Sequence, residues 1–247
     1  MGRRDTWGAW SMRSDAGEPA GAGRSQSAGV VPERPQKFVL VVTGGEFDAT
    51  LPHRLVDYAA GLEGRSRIHV AVPVEPGDGA EESSDPAASA IVEWFAPVPP
   101  EPEAWARALG LAGHEVQRYP VWEALRWQRP GVDRSQGTGV SHISSGLTVQ
   151  QFEEHWTGVH RPLAQKHHIG MEVYVQNVVS PDPGSPGGGT DGMAGGIDGI
   201  AELRFPSVEA FRERFYDSEE GRTIIAADVG KFVGHASCGL YELAADQ

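Results

Sequence analysis

Apolar positions along the chain fall into short runs whose period changes from one run to the next, and the period names the element. KFVLVVT (37–43) reads as a strand, and RIHVAVPV (67–74) and ASAIVEWFA (88–96) repeat that signal. Between the first two, LPHRLVDYAAGLE (51–63) sets Leu51, Leu55, Tyr58 and Leu62 on one side of a helix. A second helix, EPEAWARALG (101–110), starts behind Pro99-Pro100, and the strand-like GHEVQRYPVWEAL (113–125) follows it.

After a linker rich in Pro, Gly, Asp and Ser (129–139) the same order returns. GVSHISS (139–145) is a strand, and Leu147–Arg161 is an amphipathic helix that Thr148 caps, with Gln151 completing a capping box. The strands MEVYVQNVVS (171–180) and IDGIAELRF (197–205) precede a helix capped by Ser207. A further helical stretch (221–233) and the strand HASCGLYELA (235–244) close the pattern. Both halves read β-α-β-β-α-β, which predicts an α+β fold of two tandem ferredoxin-like units, residues 36–128 and 139–247. Each unit has helices on one face of an antiparallel sheet, so the other face is expected to be apolar and to need cover. Two sheets facing one another within one chain supply that cover.

Composition narrows the function more than the fold. Residues 1–35 are rich in Gly, Ser, Ala, Arg and Pro without hydrophobic period, which predicts a disordered tail. The loops 75–87 and 181–195 fall at matching places in the two halves and read as insertions. A net charge of −13 argues against nucleic acid and anionic membrane as partners. Cys238 is the only cysteine, so no intrachain disulfide and no Cys-based metal centre forms. Arg3-Arg4 is followed by no apolar h-region, and no run is long enough for a membrane span, so the expected location is cytoplasmic. The glycines at 44–45 and 187–189 lack the rest of a phosphate-binding motif.

The helix carries Phe152, Trp156 and His160 at four-residue intervals, so two aromatic rings and an imidazole share one stripe. An imidazole titrates near neutrality and is the natural acid/base group of an apolar pocket. Tyr174 and Asn177, three apart on a strand, point to opposite faces; Tyr174 is assigned the face of His160 as donor to a developing oxyanion. Glu202, and Asp198 four residues before it, are carboxylates on one strand face, able to act as acid or to orient His160. Asp198 alternatively sits in a turn, Glu202 alternatively pairs with Arg204, and Asp228 reads as a structural residue near a helix end. His142 is a second candidate if its face is inward. His155 and His160 are five apart, off one helical face, and with His167 and His168 they lack a metal-ligand spacing, so no metal is expected.

The pattern F-x3-W-x3-H-x-P-L in LTVQQFEEHWTGVHRPLA, followed by VYVQNVV, DGIAELRF and the late AADVGKF, resembles the EthD-type domain of the dimeric α/β-barrel superfamily over about residues 139–244. The usual charged, proline-containing stretch before the helix is shortened here to SSGL. The first half lacks the W-x3-H pattern and resembles a degenerate copy. The resemblance implies a sheet-lined cavity formed by two ferredoxin-like units, here within one chain, as a monomeric pseudo-dimer or a homodimer of it. It also implies a cofactor-independent enzyme on a small hydrophobic aromatic, polyketide-like or lactone substrate. The implied chemistry is dehydration, isomerisation, decarboxylation or cyclisation, with His160 at the family's recurring histidine; the strand and helix faces add Tyr174 and Glu202 as catalytic candidates and Phe152, Trp156, His142 and Asp198 as substrate-binding ones. Two alternatives stand beside it: an oxidoreductase of the cofactor-free monooxygenase kind, and a non-catalytic binder of a hydrophobic metabolite.

Overall fold

Eight strands close into a ring in the computed structural model, which describes residues 37–44, 50–71, 88–96, 101–110, 114–132, 137–180 and 197–246. The tail at 1–35 and the two insertions lie outside the described residues. The first half runs β1 (Lys37–Gly44), α1 (Leu51–Ala60), β2 (Arg65–Ala71), β3 (Ala88–Phe95), α2 (Pro102–Ala108) and β4 (His114–Gln128). The second runs β5 (Gly137–Ser144), α3 (Val149–His155), a π turn (Trp156–His160), α4 (Arg161–His167), β6 (Val173–Val179), β7 (Gly199–Phe205), α5 (Val208–Arg214), α6 (Glu219–Phe232) and β8 (His235–Asp246).

In space the strands follow the order β1-β3-β2-β8-β5-β7-β6-β4, with β4 returning to β1 and every neighbour antiparallel. Each half therefore supplies four consecutive staves, and the halves meet at two seams, β2 with β8 and β4 with β6. Among the described residues no helix is long and apolar enough to cross a membrane.

Side-chain alternation explains why the strands read as nearly continuous apolar runs: they are covered on both faces. On β1, Phe38, Leu40 and Val42 pack outward against Leu51, Leu55 and Trp105 of α1 and α2. Val39 and Val41 point into the barrel, where they meet Ile91, Tyr119, Val121, Val140, Val179, Ile200 and Tyr241. The second outer layer joins Phe152, Trp156, Tyr174, Leu203, Phe205, Ile225, Val229 and Phe232. Each such side chain contributes roughly 1.5–3 kcal/mol when fully buried. The inner face is not wholly apolar, as the sequence suggested: Lys37, His69, Glu93, Asn177, Glu202 and Arg204 are buried in the interior as one polar cluster. Their alternating neighbours hid them, because a single charge in an apolar strand carries no facing information of its own.

The helix expected over Leu147–Arg161 starts where predicted. Thr148 Oγ1 accepts from the Gln151 N–H and Gln151 Oε1 accepts from the Thr148 N–H, each at 3.2 Å. It does not continue as a regular α-helix, because Pro162 has no N–H to give and its ring would collide with the Gly158 carbonyl. The ladder widens instead: the Arg161 N–H reaches back five residues to the Trp156 carbonyl.

Candidate active site

That widened turn rearranges the histidines. A five-residue loop of the ladder brings residues five apart toward one side, so His155 and His160 converge on a single carboxylate. His160 Nδ1 lies 3.0 Å from Asp228 Oδ2, and His155 Nε2 lies 3.1 Å from Asp228 Oδ1. Asp228 is 1% exposed on α6, and Lys231 Nζ stands 3.7 Å from its Oδ1. Hydrogen bonding from His160, and then from His155, outweighs burial and holds the Asp228 carboxyl below its usual value. An ionised carboxylate only accepts, so Nδ1 of His160 is the donor to Asp228, and in the neutral imidazole this tautomer leaves the lone pair on Nε2. A buried imidazole with one nitrogen anchored and the other basic can take a proton from a neighbouring molecule and return it. In an uninterrupted α-helix His155 and His160 would lie off one face and Asp228 would be a structural helix-end residue; the π turn, which Pro162 signals in the sequence, brings all three together.

The stripe beneath is aromatic. Phe152 and Trp156 are fully buried with ring centroids 4.9 Å apart, and Phe232 lies 6.0 Å from Phe152 and 5.2 Å from His160. They reach the sheet because Gly199 opens β7: a Cβ there would stand 2.7 Å from both Phe152 and Trp156. The Trp156 indole donates to the Tyr174 hydroxyl at 3.0 Å, and the Gln176 amide donates to that hydroxyl at 3.1 Å and to the Trp156 carbonyl at 2.9 Å. Burial pushes the Tyr174 phenol up to about 12, so it stays protonated and able to donate. Tyr174 thus lies on the helix side of β6, as expected, and Asn177 on the other.

Glu202 is a correction. It faces the barrel interior, in phase with Ile200, whereas His160 lies in the helix layer outside the sheet. A strand's two-residue period puts Ala201 and Leu203, not Glu202, under the helices. Glu202 therefore cannot orient His160. Lys37 Nζ sits 3.0 Å from Glu202, 2.8 Å from Glu93 and 2.8 Å from Asn177 Oδ1, while Arg204 Nη2 bridges Glu93 at 2.6 Å and Glu202 at 2.5 Å. His69 Nε2 is 2.9 Å from Glu93. Desolvation opposes every one of these charges, but the mutual attraction wins: both carboxyls are held below and the Lys37 ammonium above their ordinary values. The ligand atoms of His69, Glu93 and Glu202 lie within 4.8 Å of one another, as a metal triad would. The ammonium and guanidinium already neutralise both carboxylates, so a cation would have to displace Lys37.

Asp198 does not share a face with Glu202 in the barrel. Its Oδ2 accepts from Ser145 N at 2.6 Å and Ser145 Oγ at 2.9 Å, fastening the turn ahead of β7 to the start of the helix. Of His142 only the backbone is described: it pairs with Ile200 and Ser237 on β5. His167, held by Asp217 at 3.0 Å, and His168, on the Phe215 carbonyl at 2.8 Å, lock α4 to the segment after α5.

The family model described as "EthD domain" matches residues 144–236. This stretch is similar to EthD domains. It contains His160, Asp228, Tyr174 and the aromatic stripe, and leaves outside it Lys37, His69 and Glu93 of the interior cluster. No curated protein matches the sequence. The barrel around the matched stretch is shared with solved structures. An anthrone oxidase-like protein is similar at 11% identity and a TM-score of 0.54, over 86% of this chain and 93% of its own. A protein assigned as a monooxygenase from Fusobacterium nucleatum is similar at 7% identity and a TM-score of 0.52, over 87% and 94%. At such identities the likeness is one of fold.

Proposed function

We propose that the protein is a small-molecule enzyme in which His160 moves a proton on a hydrophobic aromatic, polyketide-like or lactone substrate without a cofactor. The observation that carries this reading is the pair His160 Nδ1 and Asp228 Oδ2 at 3.0 Å, which leaves Nε2 as the base. Asp228 stabilises the imidazolium that forms, as a buried carboxylate does behind any catalytic imidazole. Tyr174 donates to the oxygen on which negative charge develops, and Phe152 and Trp156 form the aromatic wall. In this reading the two halves, residues 36–128 and 139–247, are ferredoxin-like units fused into one barrel, and only the second carries the site. Dehydration, isomerisation, decarboxylation and cyclisation each include a proton transfer that such an imidazole can carry out, as base or as acid.

The oxidoreductase reading starts from the same step. Deprotonation makes a phenol or an activated methylene electron-rich enough to react with dioxygen, and both solved proteins above have names of that kind. In that case a methylene becomes a carbonyl, with one oxygen atom of dioxygen retained and the other released as water.

Incubating wild type and His160→Ala with a small-molecule extract, and comparing the two by mass spectrometry, tests the proposal. A compound consumed only by wild type supports it. The mass change names the reaction: loss of water or carbon dioxide, no change, or a gain of oxygen with dioxygen uptake. Retention of a compound through gel filtration without consumption overturns catalysis in favour of a binding protein.

A further inference from the structure

Two fully buried groups on β6, directly beneath the π turn, have hydrogen-bonding capacity that the described residues leave unused. Tyr174 and Gln176 are two apart on the strand and so share the helix-side face. The Tyr174 oxygen accepts from Trp156 Nε1 and from Gln176 Nε2, which fills both its lone pairs and leaves its own O–H proton without an acceptor among the described residues. The Gln176 amide spends its protons on the Trp156 carbonyl and on Tyr174, and its Oε1 is buried with no partner. The amide cannot be turned over to relieve this, because Oε1 would then face the Trp156 carbonyl, acceptor against acceptor. A free donor and a free acceptor therefore sit side by side beneath the π turn. Buried polar groups are nearly always paired, and a native orphan calls for an explanation.

We infer that Tyr174 and Gln176 form a hydroxyl-reading subsite: one hydroxyl of the substrate, a phenol or an enol, accepts from Tyr174 O–H and donates to Gln176 Oε1. This deepens the proposal above and rests on it for the identity of the site, since Gln176 also holds the first carbonyl of the turn that carries His160. It makes Gln176 a specificity-determining residue. A hydroxylated aromatic satisfies both groups, whereas its ether or carbonyl analogue satisfies Tyr174 and leaves Oε1 buried and unmet. Sites built to pair with a hydroxyl reject the analogue that lacks it far more strongly than apolar sites reject a missing methylene.

The test uses the full chain and three probes of one ring size: 2-naphthol, which donates and accepts, and 2-methoxynaphthalene and 2-naphthaldehyde, which only accept. Wild type, titrated calorimetrically, is expected to bind 2-naphthol roughly tenfold or more tightly than either accept-only probe. Gln176→Met is expected to reduce that preference to about twofold while keeping its affinity for the ether; Tyr174→Phe is expected to weaken all three. Equal binding of the three probes by wild type, or no binding of any, overturns the inference whether or not the variants fold. So does an undiminished preference in Gln176→Met. A clear hydroxyl preference in a protein that consumes nothing leaves the subsite standing and removes the acid/base reading instead.

Discussion

Lys37 on β1 and Glu202 on β7 meet 3.0 Å apart inside the barrel although 165 residues separate them in the chain. The contact joins the two halves through charge where the seams join them through backbone. With Glu93 and Arg204 it forms a network in which two cations face two carboxylates, each bridging both members of the opposite pair, and removing any one charge leaves a net charge buried without compensation.

Lys37→Met is therefore expected to destabilise the protein by about 3–5 kcal/mol in urea denaturation. Adding Glu202→Gln should recover a substantial part of the loss, because the second change removes the repulsion between Glu93 and Glu202 that the first exposes. Turnover per folded molecule should not change, since the network and His160 lie on opposite faces of the sheet. A fall in turnover in the folded fraction would contradict that separation.

His160→Ala is expected to abolish turnover while the melting temperature moves by no more than a few degrees. Asp228→Asn should keep the imidazole but withdraw the carboxylate that fixes its tautomer, lowering kcat by roughly 10²–10⁴-fold. Steady-state kinetics on the consumed compound, with thermal melts of the same preparations, separate the chemical effect from a structural one.

His168 makes stability depend on pH. Burial lowers its value from 6.5 to about 4 in the folded protein. Above pH 6.5 neither state holds the proton. As pH falls from 6.5 towards 4 the unfolded chain binds it and the folded protein does not, so stability declines, by roughly 3 kcal/mol at most. The depressed values of Glu93 and Glu202 add a further loss as pH drops below 4.5. Urea midpoints at pH 7, 5.5 and 4.5 should fall in wild type, and the step between 7 and 5.5 should shrink in His168→Gln.

Gly199→Ala should cost about 1–3 kcal/mol, because the new methyl would stand 2.7 Å from Phe152 and from Trp156 in a packed layer. Displacing Trp156 also strains its bond to Tyr174, so a change in tryptophan fluorescence should accompany the loss. Fluorescence and stability unchanged together would mean that the rings yield freely.

Most of the barrel was legible because its strands and helices follow period and capping rules: the Thr148–Gln151 box and the Ser207 cap stand where the sequence placed them. The EthD resemblance drew attention to His160. What escaped was whatever depends on distant residues coming together. Lys37 opens the strand run KFVLVVT, and Glu93 is a single charge within AIVEW. Nothing local says that both meet Glu202 and Arg204. Asp228 escaped for a different reason: the π turn alters the phase of the helix it binds, and phase was the only ruler available.

The two seams also bear on where the protein can work. A ring assembled from separate subunits comes apart on dilution, since each half needs the other's staves to cover its inner face. Here the covering half is tethered by a short linker, so it is present at a fixed effective concentration however scarce the protein becomes. The layer holding His160 and Asp228 should keep its geometry at nanomolar protein as it does at micromolar.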